Sequence, residues 1–170
     1  LTLAIYYPAQ LAQKVRMVQE TLKRIGGLTD LDVPPALGME EPWAYRSKAE
    51  YVAGRDETGK LFLGFLRRGS HDVIPIGGCA VQHPLNEQIR RALTGILNSH
   101  TQGAEEKDSL VQVMSRVSFD TGTACVTLVT LGRPAFVVGV AKELMETVPQ
   151  VSGVCHASTR NRRALHVSPA

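Results

Sequence analysis

With 170 residues, of which 44% are hydrophobic and 21% charged, the chain is long enough for one domain with a buried core and too short for two comfortable ones. That balance excludes extensive disorder, and a formal charge of +3 with a pI near 8.9 tolerates a phosphate backbone without requiring one. No apolar run approaches the roughly 18 residues of a membrane span, so no membrane partner is expected. The start at Leu1 lacks the basic flank and cleavage site of a signal peptide. Cys79, Cys125 and Cys155 are too few and too scattered for a disulfide framework. A cytoplasmic protein with reduced thiols is the expectation, and the apolar opening without Met reads as cut from a longer parent.

From Pro8 to Ile25 the residues Leu11, Val15, Val18, Leu22 and Ile25 recur at steps of four, three, four and three, which is one face of a helix. Pro8 suits its first turn and Gly26-Gly27 its stop. Lys14, Arg16, Lys23 and Arg24 fall mostly off the stripe, as on a solvated face. The Val33-Pro34-Pro35 stretch reads as a linker, because proline lacks an N–H and biases its predecessor toward extended backbone. Residues 44–53, a polar turn over 55–59 and residues 60–66 predict a hairpin. Residues 73–76 predict a short strand, placed at a sheet edge by Pro75. Pro84 opens a second predicted helix through Leu85, Ile89, Leu93 and Ile96 or Leu97, and residues 99–108 a polar surface loop. Residues 111–117 and 124–131, around a turn at 119–122, predict a second hairpin. Residues 134–148 predict a third helix through Val137, Val140, Leu144, Met145 and Val148, and residues 151–155 and 164–167 two last short strands. Hairpin pairing with about three helices packed on the sheet is an α+β arrangement built on an antiparallel sheet.

The chemistry that is missing is as informative. There is no Gly-x-Gly-x-x-Gly, no phosphate loop, no Gly-x-Ser-x-Gly elbow, no His-Glu-x-x-His and no Cys-x-x-Cys, so no complete active site or zinc site is written here. No catalytic residue is assigned. The densest polar cluster surrounds the first hairpin: Arg46, Lys48, Glu50, Arg55, Lys60, Arg67, Arg68 and His71. On a strand Arg46, Lys48 and Glu50 share one face. With Trp43 and Tyr45 beside them they can contact phosphates and stack on an unpaired base; the competing reading is a solvated sheet face. Cys79 reads as a small buried hydrophobe unless partners from outside the chain make it a metal ligand. Cys125 and Cys155, in apolar strand contexts, are assigned to the core, and His83 to a polar helix start.

Several phrases taken together resemble the S-adenosylmethionine-dependent RNA uracil-5-methyltransferases. They are Tyr7-Pro-Ala-Gln-Leu11 with Lys14, Leu22-Lys-Arg-Ile-Gly26, Pro42-Trp-Ala-Tyr-Arg-Ser-Lys-Ala49, Gly59-Lys-Leu61 with Gly64-Phe65, Ser70-His71 before Val73-Ile74, and Cys79-Ala-Val-Gln-His-Pro84. Arg116-Val117, Thr121-Gly122, Val126-Thr-Leu-Val-Thr130 and residues 144–154 continue the pattern. The Pro-Trp-x-Tyr-Arg-x-Lys-Ala phrase is the most specific. Glu50 places an acid where the family commonly has Gln or Arg.

The resemblance covers the family's central region. It implies that residues 1–170 are the central domain of such an enzyme, with an RNA-binding β-barrel and a Rossmann-like catalytic domain outside this chain. It implies RNA as partner, ribosomal RNA ahead of transfer RNA, gripped by Arg46, Lys48, Trp43 and Tyr45. S-adenosylmethionine would be bound by the catalytic domain, which also carries the cysteine that attacks C6 of a flipped uracil. Cys79 matches the fourth ligand of the 4Fe-4S cluster that many members hold; four thiolates are needed, so this chain by itself is not expected to hold one. Two other readings stand beside this one. One is a stand-alone, non-catalytic RNA-binding module of the same descent. The other is a small enzyme using Cys79 and His83 as nucleophile and base.

Overall fold

The computed structural model describes residues 6–100 and 109–160. The chain divides into two compact units, residues 1–42 and 43–170. In the first, helix α1 (Tyr7–Arg24) has Pro8 in its first turn and Lys23 and Arg24 in its last, where cations favour the negative end of the helix dipole. Arg16 and Glu20 pair one turn apart on its exposed side. The segment after the helix returns toward its start, where the Met39 N–H donates to the Tyr7 hydroxyl at 2.8 Å. None of the residues of α1 is buried.

The second unit holds strands β1 (Lys48–Arg55), β2 (Leu61–Leu66) and β3 (Val73–Pro75), helix α2 (Pro84–His100), strands β4 (Leu110–Val117) and β5 (Ala124–Leu131), helix α3 (Phe136–Thr147) and strand β6 (Val151–Thr159). The six strands form one sheet in the order β3-β2-β1-β4-β5-β6. This is the expected α+β fold. Pro75 ends β3 at the sheet margin, where its missing N–H costs no ladder bond. Neighbours are antiparallel except β5 and β6, which run parallel. The parallel pair arises because a whole helix, α3, separates the two strands, and a helical crossover returns the chain in the same direction. β6 also extends four residues beyond the predicted end at 155. The predicted strand over 164–167 and most of the predicted loop over 99–108 lie outside the described residues, and α2 runs on through Ser99 and His100.

Both helices bury their apolar stripes against one sheet face. Ile89, Leu93 and Leu97 of α2 and Val140 and Leu144 of α3 join Tyr51, Leu61, Leu63, Val113, Val126 and Leu128 from the strands. Fully burying side chains of this size stabilises by about 1.5–3 kcal/mol each. Asn98 ties α2 to β2: its Oδ1 accepts the Leu61 N–H at 2.9 Å and its Nδ2 donates to the Leu61 carbonyl at 2.8 Å. At Gly64 a Cβ would stand 2.1 Å from the Ile74 carbonyl oxygen, so only glycine lets β3 pair with β2 at that point.

The β1–β2 turn is held by Asp56, whose carboxylate accepts from the Thr58 hydroxyl at 2.6 Å and from the Thr58 and Lys60 amides at 2.9 Å each. Gly59 supplies the positive φ of 78° that closes the turn.

Cys125 and Cys155 are both exposed, a correction to their core assignment. Cys125 lies between the buried Ala124 and Val126, and Cys155 follows Val154, which packs on the core; alternation therefore turns both thiols to the opposite face. Apolar residues on both faces of β5 conceal that alternation in the sequence.

Candidate nucleic-acid interface

The predicted hairpin starts four residues later than its apolar pattern suggests, and the reason shapes the site. Ala44 takes a φ of 54°, which breaks the extended run. Residues 44–46 then pair with residues 80–82: the Ala44 amide donates to the Ala80 carbonyl at 2.9 Å, the Arg46 amide to Val81 at 2.8 Å and the His83 amide to Arg46 at 3.1 Å. The Arg46–Gln82 bridge is parallel. Arg46 is therefore not a β1 residue sharing a strand face with Lys48 and Glu50, as the spacing predicted. It stands on a separate segment brought against the chain that leads from Cys79 into α2.

Asn86, fully buried in the first turn of α2, fastens this joint. Its Nδ2 donates to the Ser47 carbonyl at 3.1 Å, the Arg46 carbonyl at 3.4 Å and Gln82 Oε1 at 3.2 Å, while its Oδ1 accepts from the Ser115 hydroxyl at 2.6 Å. The Tyr51 hydroxyl donates to the Asn86 carbonyl at 3.3 Å. Burial, with the Glu87 charge adding to it, pushes the Tyr51 phenol well above its ordinary value, so it stays a donor. Asn86 was not singled out in the sequence; an Asn two residues into a helix ordinarily reads as exposed.

Around this joint the predicted contact residues are at the surface. Trp43 is 48% and Tyr45 44% exposed, and Arg46 and Lys48 are exposed. Lys48 forms an ion pair with Glu50, so part of its charge is already answered. Sequence reasoning missed two neighbours. Arg116 faces Lys48 across β1 and β4 and is exposed. Phe119, 60% exposed, sits on the β4–β5 turn with its ring edge-on to His83, centroids 5.0 Å apart. The only signal for Phe119 was a large aromatic in a turn. His83 does serve the helix start, where its Nδ1 accepts the Leu85 amide at 3.2 Å. That use of the ring does not suit a base activating Cys79.

Beneath the joint, Glu87 lies in the first turn of α2, where a carboxylate is favoured. Its oxygens accept from Arg90 Nε and Arg91 Nε at 3.0 Å each. The Arg90 hydrogen bonds hold its carboxyl below the usual carboxylate range against partial burial, with Arg91 adding to them. The Thr58 hydroxyl and the Lys60 amide do the same for Asp56. Both folded-state values are depressed, so the stability these groups contribute is complete above the ordinary value of about 4 and is lost as pH falls through the lower folded values. Urea midpoints are therefore expected to decline steadily below about pH 4, and Glu87→Gln to shallow that decline; equal acid sensitivity in the variant refutes the assignment.

No protein-family model matches the chain. Sequence comparison does find relatives. An RNA methyltransferase of Bacillus cereus is 38% identical over 128 residues, which is 73% of this chain and 28% of that protein. One of Halalkalibacterium halodurans is 37% identical over 130 residues, 74% of this chain and 28% of that protein. The chain is a relative of the RNA methyltransferases. It spans little more than a quarter of the length of these curated relatives, 28% in each case. In fold, this RNA methyltransferase relative resembles the Pyrococcus abyssi tRNA (uracil-54, C5)-methyltransferase crystallised with S-adenosyl-L-homocysteine. The TM-score is 0.57 at 15% identity, covering 89% of this chain and 35% of that one.

The described residues of this methyltransferase relative do not fit a methyl donor. Their one strand–helix–strand unit with parallel strands, β5-α3-β6, has a single glycine, Gly132, in its turn. No acidic side chain lies in the first turn of α3, and β6 ends in Thr159 where a ribose would call for Asp or Glu. Nor do they fit a cluster: among the described residues no three His, Cys, Asp or Glu side chains are grouped closely enough to hold a metal ion. Cys79, half-buried, offers a single thiolate. Among the described residues no helix is long and apolar enough to cross a membrane.

Proposed function

We propose that this chain positions RNA for an S-adenosylmethionine-dependent RNA (uracil-5-)-methyltransferase, with alkylation performed by polypeptide other than residues 1–170. The observation that carries this reading is the joint between residues 44–46 and 80–82. It gathers exposed Trp43, Tyr45 and Arg46 beside Lys48 in a chain whose relatives are RNA methyltransferases. Aromatic faces accept any unpaired base, and guanidinium and ammonium groups track the phosphates. What these residues contribute is binding and orientation: a base taken out of its stack is presented in one register to a nucleophile and a methyl donor held elsewhere.

Uracil C5 as the acceptor rests on the sequence resemblance and on the reaction in the archaeal neighbour's name. The RNA is read as ribosomal; transfer RNA is the alternative that the same neighbour favours, and competition between the two in one binding assay decides. The place of action is read as the cytoplasm. A fourth-ligand role for Cys79 in an iron–sulfur cluster rests on the resemblance alone and enters no step.

Binding of a fluorescent single-stranded oligoribonucleotide to the 170-residue chain tests the reading. Binding is expected to weaken with salt in proportion to the phosphates engaged, and to be stronger for single strands than for duplex of equal length. Calorimetry with S-adenosylmethionine should give no heat. Absence of RNA binding at low salt, or a clear S-adenosylmethionine signal, overturns the assignment.

A further inference from the structure

The sheet face turned away from α2 and α3 carries a pair of thiols that the RNA reading does not use. In the parallel β5–β6 register Cys125 faces Gly153 and Thr127 faces Cys155, so the two cysteines are diagonal neighbours on adjacent strands. Both are exposed and unbonded, and because Cys155 stands two residues beyond the Gly153 that Cys125 faces, alternation puts the two side chains on the same sheet face. Across the other strand boundary Cys125 faces the exposed Arg116.

Two chemistries suit adjacent thiols, and spacing separates them. Strands about 4.8 Å apart that rise about 3.3 Å per residue put the Cα atoms of a two-residue diagonal about 8 Å apart. A disulfide takes Cα atoms no further apart than about 6.8 Å, so forming one here would require the backbone to move. A metal–thiolate bond of about 2.3 Å lets one ion sit between sulfurs about 4.6 Å apart, with the strands where they are. We propose that Cys125 and Cys155 form a site for a single soft, thiophilic d10 metal ion, of which Cu(I) is the class that two thiolates in near-linear array suit best.

Two ligands suffice for such an ion, whereas zinc or an iron–sulfur centre calls for four. Loading breaks both S–H bonds, releases two protons and forms two metal–sulfur bonds. A monovalent ion between two thiolates leaves one net negative charge, which the Arg116 guanidinium on the same face opposes. Because each thiol gives up its proton on binding, apparent affinity rises with pH.

Anaerobic titration of the 170-residue chain with Cu(I) held by bicinchoninate tests this. The chain is expected to withdraw one ion, with a thiolate charge-transfer band appearing in the ultraviolet. Cys125→Ser and Cys155→Ser should each weaken binding by about a hundredfold or more, because the second ligand acts at high effective concentration; Cys79→Ser should leave it unchanged. Both positions are on the surface, and circular dichroism checks that each variant folds. Independently of any variant, Cu(I) should protect Cys125 and Cys155 together from alkylation, mapped by mass spectrometry. Failure to withdraw Cu(I), retention of affinity in either serine variant, loss of it in Cys79→Ser, or protection of one thiol alone overturns the site.

Discussion

Replacing Asn86 by alanine is expected to lower the unfolding free energy by about 3–5 kcal/mol, a large part of the ~5–15 kcal/mol that domains possess. The side chain is fully buried and makes four hydrogen bonds, to Arg46, Ser47, Gln82 and Ser115. Alanine leaves the Ser115 hydroxyl and the Gln82 amide buried without that partner, each costing about 1–3 kcal/mol. Asn86→Leu, which restores volume without polarity, should rescue little. Urea denaturation checks the figure: the midpoint should fall while the slope stays close to wild type. A loss below about 1 kcal/mol would show that water replaces the side chain and that the joint does not depend on it. RNA affinity should fall with stability, since Asn86 holds the carbonyls of Arg46 and Ser47 and so sets where the Arg46 side chain departs.

Arg46→Glu should weaken single-stranded RNA binding by about tenfold to a hundredfold, the worth of a charge-assisted hydrogen bond of ~1.5–3 kcal/mol. The slope of log affinity against log salt should also flatten by about 0.7, one phosphate contact. Lys48→Glu should cost less, because the Lys48 ammonium is already paired with Glu50 on an exposed surface, where such a pair contributes only ~0–1 kcal/mol. Glu50→Gln offers the opposite sign. It frees the ammonium and removes an acid from the phosphate path, so affinity should rise. Equal affinity in all three variants would remove this corner from the RNA surface while leaving the fold undisturbed.

How much of this was legible beforehand follows from which interactions are local. The stripe from Leu85 to Leu97 and the one from Val137 to Val148 announce α2 and α3, because a helix repeats its buried face every three to four residues. Pro75 marked an edge strand for an equally local reason, its missing N–H. The turn at Asp56–Lys60 is written in an Asp that closes it and a Gly that permits it. Cys125 was misplaced because Ala124–Leu131 is apolar or small on both faces, which erases the alternation that would tell inside from outside.

By itself, then, the sequence determined the helices, the two hairpins, the α+β class and the kinship with RNA methyltransferases, all properties of residues close together in the chain or of their linear order. Only the tertiary structure decided that β6 runs parallel to β5, that Arg46 leaves the strand to pair with Gln82, and that Phe119 meets His83. It also turned two cysteines 30 residues apart outward side by side. These depend on pairings between distant segments, made by whichever backbone and side-chain groups lack a partner nearby; Asn86, joining residues 46, 47, 82 and 115, has no local pattern that could have announced it.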